Sequence, residues 1–320
     1  MRKIRVGTSD LMVSRLGLGT MSWGTATLIT EASQMLKAFV DCGGNLIDTA
    51  AAYGNGEVES ILGRLLARTV DRSELVIATK SGFVLKNGER VIDNSPTTLL
   101  SDLQGSLRRL GTDWVDIWQI HAWGEEPLEA TLTAADAAVA KGWARHAAVS
   151  NFVGWQLAQA STWQRARRGT PIVSAQAEYS LLARRAELEL IPCLIELGAG
   201  FFAWSGLGRG VLTGKYADSI PPGSRGDDPE LAWFVEAYLD EESRRIVRAV
   251  MTAAQGLGLT PAQVALVWVR DAPGVTAPLV GPRTLEQLQP LLETESINLP
   301  DIITAALDDV SGGLNQSRTS

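Results

Sequence analysis

A chain of 320 residues with 45% hydrophobic residues is long enough to bury a large core and has an ordinary globular composition. Its formal net charge of -7 is spread over interspersed acidic and basic residues, which excludes the basic stripe of a nucleic-acid surface. Two cysteines, Cys42 and Cys193, exclude a disulfide framework and a Cys-rich metal centre; no signal-peptide core or membrane-length apolar run occurs. The composition predicts a cytoplasmic protein without nucleic-acid or membrane partners and leaves the oligomeric state open.

Along the chain, Lys3 to Arg5 and Leu11 to Val13 flank the turn-like Gly7-Thr8-Ser9-Asp10, which predicts a hairpin. Short β-rich runs follow near 15–19, 46–48, 75–79, 115–120, 144–150, 172–176, 200–204 and 277–281. Helical patterns lie between them, near 31–43, 57–68, 96–110, 128–141, 153–164, 185–198, 243–271 (read as two helices) and 284–293. Ser95-Pro96 and Thr260-Pro261 read as caps followed by proline at the first helical position, and Thr284 with Gln287 resembles a capping box. Arg165, Arg167 and Arg168, the one notable basic cluster, read as a solvated helix end. Insertions fall near 82–95 and 205–242.

Eight β/α units predict an α/β fold, a (β/α)8 TIM barrel spanning 1–320 as one domain. The N-terminal hairpin and extended loops at the C-terminal face complete that expectation. The competing architecture is an open doubly wound sheet. Gly17-Leu18-Gly19-Thr20-Met21-Ser22 approaches a dinucleotide fingerprint, with Asp48 as the ribose-binding acid, but the pattern fails at Ser22.

Four chemical groups fall at or just beyond strand ends, where a parallel barrel places its reactive residues. They are Asp48, Tyr53 five residues on, Lys80 and His121. Singly, Asp48 and Lys80 read as a structural ion pair, Tyr53 as a loop aromatic and His121 as a core histidine. Together each supplies what another lacks. An ammonium beside a phenol lowers its pKa, a carboxylate holds the ammonium, and an imidazole orients a carbonyl or relays a proton. The set predicts a proton donor for an oxygen gaining negative charge, which suits carbonyl reduction if hydride comes from a nicotinamide cofactor.

The sequence resembles the aldo-keto reductase superfamily over roughly residues 3–295. The matching blocks, in order, are Leu16-Gly17-Leu18-Gly19-Thr20-Met21, Asp48 to Gly54, Ala78-Thr79-Lys80, Gln119-Ile120-His121, Val149-Ser150-Asn151-Phe152, Gln176-Ala177-Glu178-Tyr179-Ser180 and Trp204 to Gly210. Several blocks are also similar to the potassium-channel beta subunits. The resemblance implies that Tyr53 is the general acid, that Lys80 and Asp48 tune it, that His121 orients the carbonyl, and that no metal takes part. It also implies a nicotinamide site. Ser150, Asn151 and Gln176 hold the carboxamide and Trp204 stacks on the ring. Thr20 and Met21, in the block at the first strand end, also bind the cofactor. Ser205, Leu207 and Gly210 run along the pyrophosphate, and Lys215 and Arg225 close over the cofactor. Gly281, Arg283 and Gln287 bind the adenosine end.

By the same resemblance Arg283 at a helix start favours NADPH, with NADH possible, whereas Pro290-Leu291 replaces a Glu-Asn pair common in relatives. Gly206 stands where proline is usual. The substrate is expected to be a small-molecule aldehyde or ketone, including sugars and quinones. Trp23, Phe83, Trp123 and Trp233 are candidate pocket walls, and Trp123 favours an apolar or aromatic carbonyl. Two other functions fit the same residues: a nucleotide-sensing regulatory subunit with slow catalysis, and an NAD-dependent polyol or sugar dehydrogenase.

Overall fold

The computed structural model of the chain describes residues 1–229 and 231–312. Two short strands, β1 (Lys3–Arg5) and β2 (Met12–Ser14), pair antiparallel, the second displaced by one residue from its expected start. Eight parallel strands then close a barrel. They are β3 (Gly17–Gly19), β4 (Leu46–Asp48), β5 (Val76–Ser81), β8 (Val115–Ile120), β9 (Ala144–Ser150), β10 (Ile172–Glu178), β11 (Gly200–Trp204) and β12 (Ala277–Val280). Each begins within two residues of the run that predicts it. Closure excludes the open sheet.

The helices are α1 (Ile29–Asp41), α2 (Glu57–Leu66), α3 (Pro96–Leu110), α4 (Leu128–Ala140), α5 (Gly154–Arg167), α6 (Leu190–Leu197), α7 (Ala232–Glu236), α8 (Glu241–Leu257), α9 (Pro261–Asp271), α10 (Leu285–Leu292) and α11 (Asp301–Gly312). Ser95, Thr260 and Thr284 accept from the backbone N–H groups of Thr98, Gln263 and Gln287, but the box expected at Thr284 is half formed, because Gln287 Oε1 accepts from the Arg283 N–H at 2.9 Å. Three features were not anticipated. The insertion near 82–95 is itself a hairpin of β6 (Phe83–Lys86) and β7 (Glu89–Ile92). The insertion after β11 contains α7, and α11 follows the last barrel unit. No single helix among the described residues is long and apolar enough to cross a membrane.

Strand alternation decides what lines the barrel. Leu46, Val76, Ala78, Ile117, Ala148, Phe202, Ala277 and Leu279 form one apolar cluster inside it, joined by Val6 and Val13 from the N-terminal hairpin segment. Gly17 belongs to this layer because space is exhausted there: a Cβ would meet Leu279 at 2.4 Å and Leu46 at 2.9 Å. The opposite faces, including Leu18, Ile47, Ile77 and Trp118, pack outward against the helices. Burying such a side chain contributes about 1.5–3 kcal/mol, so the barrel wall is a rigid frame.

Candidate active site

Two residues beyond an interior position, a strand points inward again. Leu46 is thus followed by Asp48, Ala78 by Lys80, Ile117 by Gln119, Ala148 by Ser150 and Phe202 by Trp204. Gln176 joins them at the equivalent end of β10, where it pairs in register with Ser150. These six side chains make a polar floor at the C-terminal mouth, directly above the apolar plug.

Lys80 is its centre. Its ammonium donates to Asp48 Oδ2 at 2.7 Å, to the Thr49 carbonyl at 2.9 Å and to Tyr53 Oη at 3.2 Å, while 1% of the side chain is exposed. Burial opposes the charge, but Asp48 and Tyr53 outweigh it, so the Lys80 pKa lies above its ordinary value and the group stays an ammonium. Asp48 is held in turn by Gln176 Nε2 at 2.8 Å and Gln119 Nε2 at 3.5 Å, both on Oδ1. Against a carboxylate only the amide nitrogen can donate, which orients both glutamines.

Tyr53 behaves differently from the expectation drawn from its charges alone. Burial is the largest influence and raises its pKa; Lys80 pulls the other way, and Asp48 raises it again. The net direction is upward, so the resting site holds a neutral phenol. His121, the first residue after β8, meets the Tyr53 ring edge-on at 6.0 Å. Burial first, then Lys80 and Arg90, push its pKa well below 6.5, so the imidazole is neutral at physiological pH. Its Nδ1 is buried without a partner.

The turn carrying Tyr53 needs backbone that few residues adopt: Gly54, Asn55 and Gly56 have φ of 53°, 52° and 91°. At Gly56 a Cβ would also meet Arg109 Nε at 2.7 Å. Arg109 packs beneath that turn and pairs with the fully buried Glu59 of α2, whose other oxygen accepts from Thr79 Oγ1 at 2.5 Å. This bracket joins α2 and α3 to the residue preceding Lys80. Neither this bracket nor Gln119 is expected from the sequence, although Gln119 holds an inward strand position beside His121.

The remaining predicted residues form a rim. Asn151 (φ 57°) donates through Nδ2 to the His121 carbonyl at 2.9 Å and to Ser150 Oγ at 3.2 Å, and accepts from Trp204 Nε1 at 3.0 Å. Thr20 is buried, its hydroxyl and N–H both directed at the Asp48 carbonyl, while Met21 is 43% exposed. A cleft of about 450 Å³ opens beside Asn151 and Trp204; its walls include neither Tyr53 nor His121.

After β11, Ser205, Gly208, Arg209 and Gly210 all have positive φ (56°, 55°, 58° and 98°) in the stretch that includes Leu207. Backbone N–H groups of such turns can face an anion, but here those of Gly208 and Gly210 donate to the Ser205 and Leu207 carbonyls at 2.7 and 3.0 Å. Lys215 reaches back over the Tyr216 ring, its Nζ 3.4 Å from where a Gly210 Cβ would sit. Arg225 donates to the Arg209 carbonyl at 3.3 Å, and Arg283 donates to the Gly223 carbonyl at 3.0 Å, so one strap touches both the β11 and β12 loops. Gln287 accepts from the Arg283 N–H at 2.9 Å, fixing the loop that begins at the exposed Gly281.

Of the proposed pocket walls, Phe83 lies edge-on to His121 at 4.5 Å, and Trp123 meets Phe152 at 5.2 Å and Trp155 at 5.3 Å. Trp233 is 65% exposed. Trp23 does not line a pocket: it is fully buried in the helix-packing core, where its size serves packing. Among the described residues no group of His, Cys, Asp or Glu is arranged to hold a metal ion.

Comparison with known proteins agrees with this geometry. Residues 15–311 match the model of the Aldo/keto reductase family. The chain is 35% identical over 318 residues to the uncharacterized oxidoreductase YrpG of Bacillus subtilis (strain 168), covering 96% of this chain and 95% of that one. It is 31% identical over 322 residues to a probable voltage-gated potassium channel subunit beta of Arabidopsis thaliana, covering 95% and 94%. A closed barrel with Asp48, Tyr53, Lys80 and His121 at its C-terminal mouth, and a match over nearly the whole chain, place this protein in the aldo/keto reductase family as an oxidoreductase.

Proposed function

We propose that this protein reduces an aldehyde or ketone to an alcohol with NADPH, the proton coming from Tyr53. The observation that carries this reading is the buried ammonium of Lys80, bonded at once to the Asp48 carboxylate and the Tyr53 phenol. Tyr53 stays protonated at rest because burial keeps its pKa up. When its proton moves to a carbonyl oxygen that is gaining charge, the new phenolate already has an ammonium at hydrogen-bond distance. The neutral His121, one face against Phe83, offers an N–H to the same oxygen.

The residues fit a nicotinamide dinucleotide. Ser150 supplies a hydroxyl and Asn151 the second lone pair of its amide oxygen for a carboxamide, with the Gln176 oxygen beside them, and Trp204 is oriented by its bond to Asn151. The positive-φ turn at 205–210 suits a pyrophosphate. Arg225 and Arg283 suit a 2′-phosphate: burial and the neighbouring Arg283 lower the Arg225 pKa, and its Nε is buried without a partner, so the pair favours an anion between them. Leu291 is buried in the core, so the segment that binds adenine in many relatives contributes packing here. Bound at this rim, the reduced cofactor supplies the hydride.

The test is NADPH and NADH oxidation with 4-nitrobenzaldehyde and with a quinone. Multiple turnovers that prefer NADPH support the reading. One turnover without cycling supports instead a nucleotide sensor, the reading favoured by likeness to the Arabidopsis channel-subunit relative.

A further inference from the structure

The hairpin of β6 and β7 has a face that the chemistry above does not use. Register pairs Phe83 with Ile92 and Leu85 with Arg90, and residues directly opposite on a hairpin share a face. Phe83, Leu85, Arg90 and Ile92 therefore lie on one side. Phe83 fixes which side it is, because its ring rests edge-on against His121 at 4.5 Å. Ile92 points toward Gly124, next to Trp123, with its Cγ2 3.0 Å from where a Gly124 Cβ would be. The face is apolar and open: Leu85 is 55% exposed and Ile92 37% exposed.

One charge stands on it. The Arg90 guanidinium lies over the Phe83 ring at 5.9 Å. The hairpin's other cation, Lys86, is paired with Asp93 at 3.0 Å, whereas Arg90 forms no ion pair among the described residues. Its field nevertheless reaches the site, where it acts on both His121 and Tyr53.

We propose that Arg90 is a specificity residue and that the substrate is an acidic carbonyl compound: an aldehyde or ketone with an apolar body ending in a carboxylate. The body would lie along Phe83, Leu85, Ile92 and Trp123, and the acid would meet the guanidinium, whose fork matches a carboxylate in geometry and charge. This sharpens the apolar preference suggested by Trp123 and rests on the reductase reading.

The experiment compares kcat/KM for 4-formylbenzoate and the longer 4-formylcinnamate, each against its methyl ester, in wild type, Arg90→Gln and Arg90→Lys. At least one acid-to-ester ratio should fall about tenfold in Arg90→Gln, mainly through KM, the order expected of one charge-assisted hydrogen bond at an open site. Arg90→Lys should restore part of it, and in wild type the acid's advantage should shrink with added salt. Ratios unchanged in Arg90→Gln overturn the proposal. If wild type turns over none of these aldehydes, the reductase reading fails separately. Quenching of tryptophan fluorescence by 4-methylbenzoate and 4-methylbenzamide then decides the Arg90 question. A tenfold loss of affinity for the acid alone in Arg90→Gln upholds it, and equal losses or none overturn it.

Discussion

At the barrel centre Lys80 has a carboxylate at 2.7 Å, a carbonyl at 2.9 Å and a phenol at 3.2 Å, whereas on the strap Arg225 sits beside another arginine with its Nε unpartnered. Both regions bury cationic groups, but only the centre neutralises its own. The centre is electrostatically complete before any ligand arrives, and the strap becomes complete only with an anion. In the proposed function, chemistry that requires fixed positions would thus fall to strand ends, and cofactor binding to loops that would gain stability from what they bind.

The largest expected effect comes from breaking the complete region. Lys80→Met leaves Asp48 buried without its counter-charge and should cost about 3–5 kcal/mol in urea unfolding, with carbonyl reduction abolished. A loss under about 1 kcal/mol, typical of surface pairs, would show that the centre is not coupled as described.

The incomplete region should respond with the opposite sign. Arg225 has a folded-state pKa below its ordinary value, so its charge opposes folding at neutral pH. Arg225→Gln should leave the free protein as stable or more stable, yet weaken NADPH about tenfold or more. Arg283→Ala should weaken NADPH much more than NADH. Equal loss for both cofactors would refute a 2′-phosphate role.

A smaller effect should come from the bracket linking scaffold to centre. Glu59→Gln keeps the shape but removes the partner of Arg109, which should cost about 1.5–3 kcal/mol and lower kcat more than it raises KM, because the Tyr53 turn loosens. Unchanged kcat would separate the bracket from the site.

The division between centre and rim also explains how much was legible in the sequence. A strand has period two, so once Leu46-Ile47-Asp48 or Ala78-Thr79-Lys80 is recognised as a strand end, the direction of its last side chain follows. Asp48 and Lys80 were readable for that reason, and the caps at Ser95 and Thr260 from Ser/Thr followed by proline; Tyr53 sits in the turn after its strand and was placed by the motif around it. The hairpin at 83–92 was not readable, because its apolar residues cover no core: Leu85 and Ile92 are apolar yet exposed. Glu59 and Arg109 lie on different helices and meet only after the barrel closes. Trp23 was misassigned because composition cannot tell an aromatic wall from an aromatic core. The direction of the Tyr53 pKa depends on burial, which no motif encodes.

In the proposed reduction a neutral Tyr53 delivers the proton. A cofactor-saturated single-turnover measurement of NADPH oxidation with an aldehyde, in wild type and Tyr53→Phe across pH, tests it most directly. Because burial raises the Tyr53 pKa and keeps His121 neutral, the wild-type rate should stay level through neutral pH. It should fall only above the phenol's ordinary value of about 10. Tyr53→Phe should lose at least 10²-fold while binding NADPH as wild type does. An undiminished rate in Tyr53→Phe would exclude Tyr53 as the proton source.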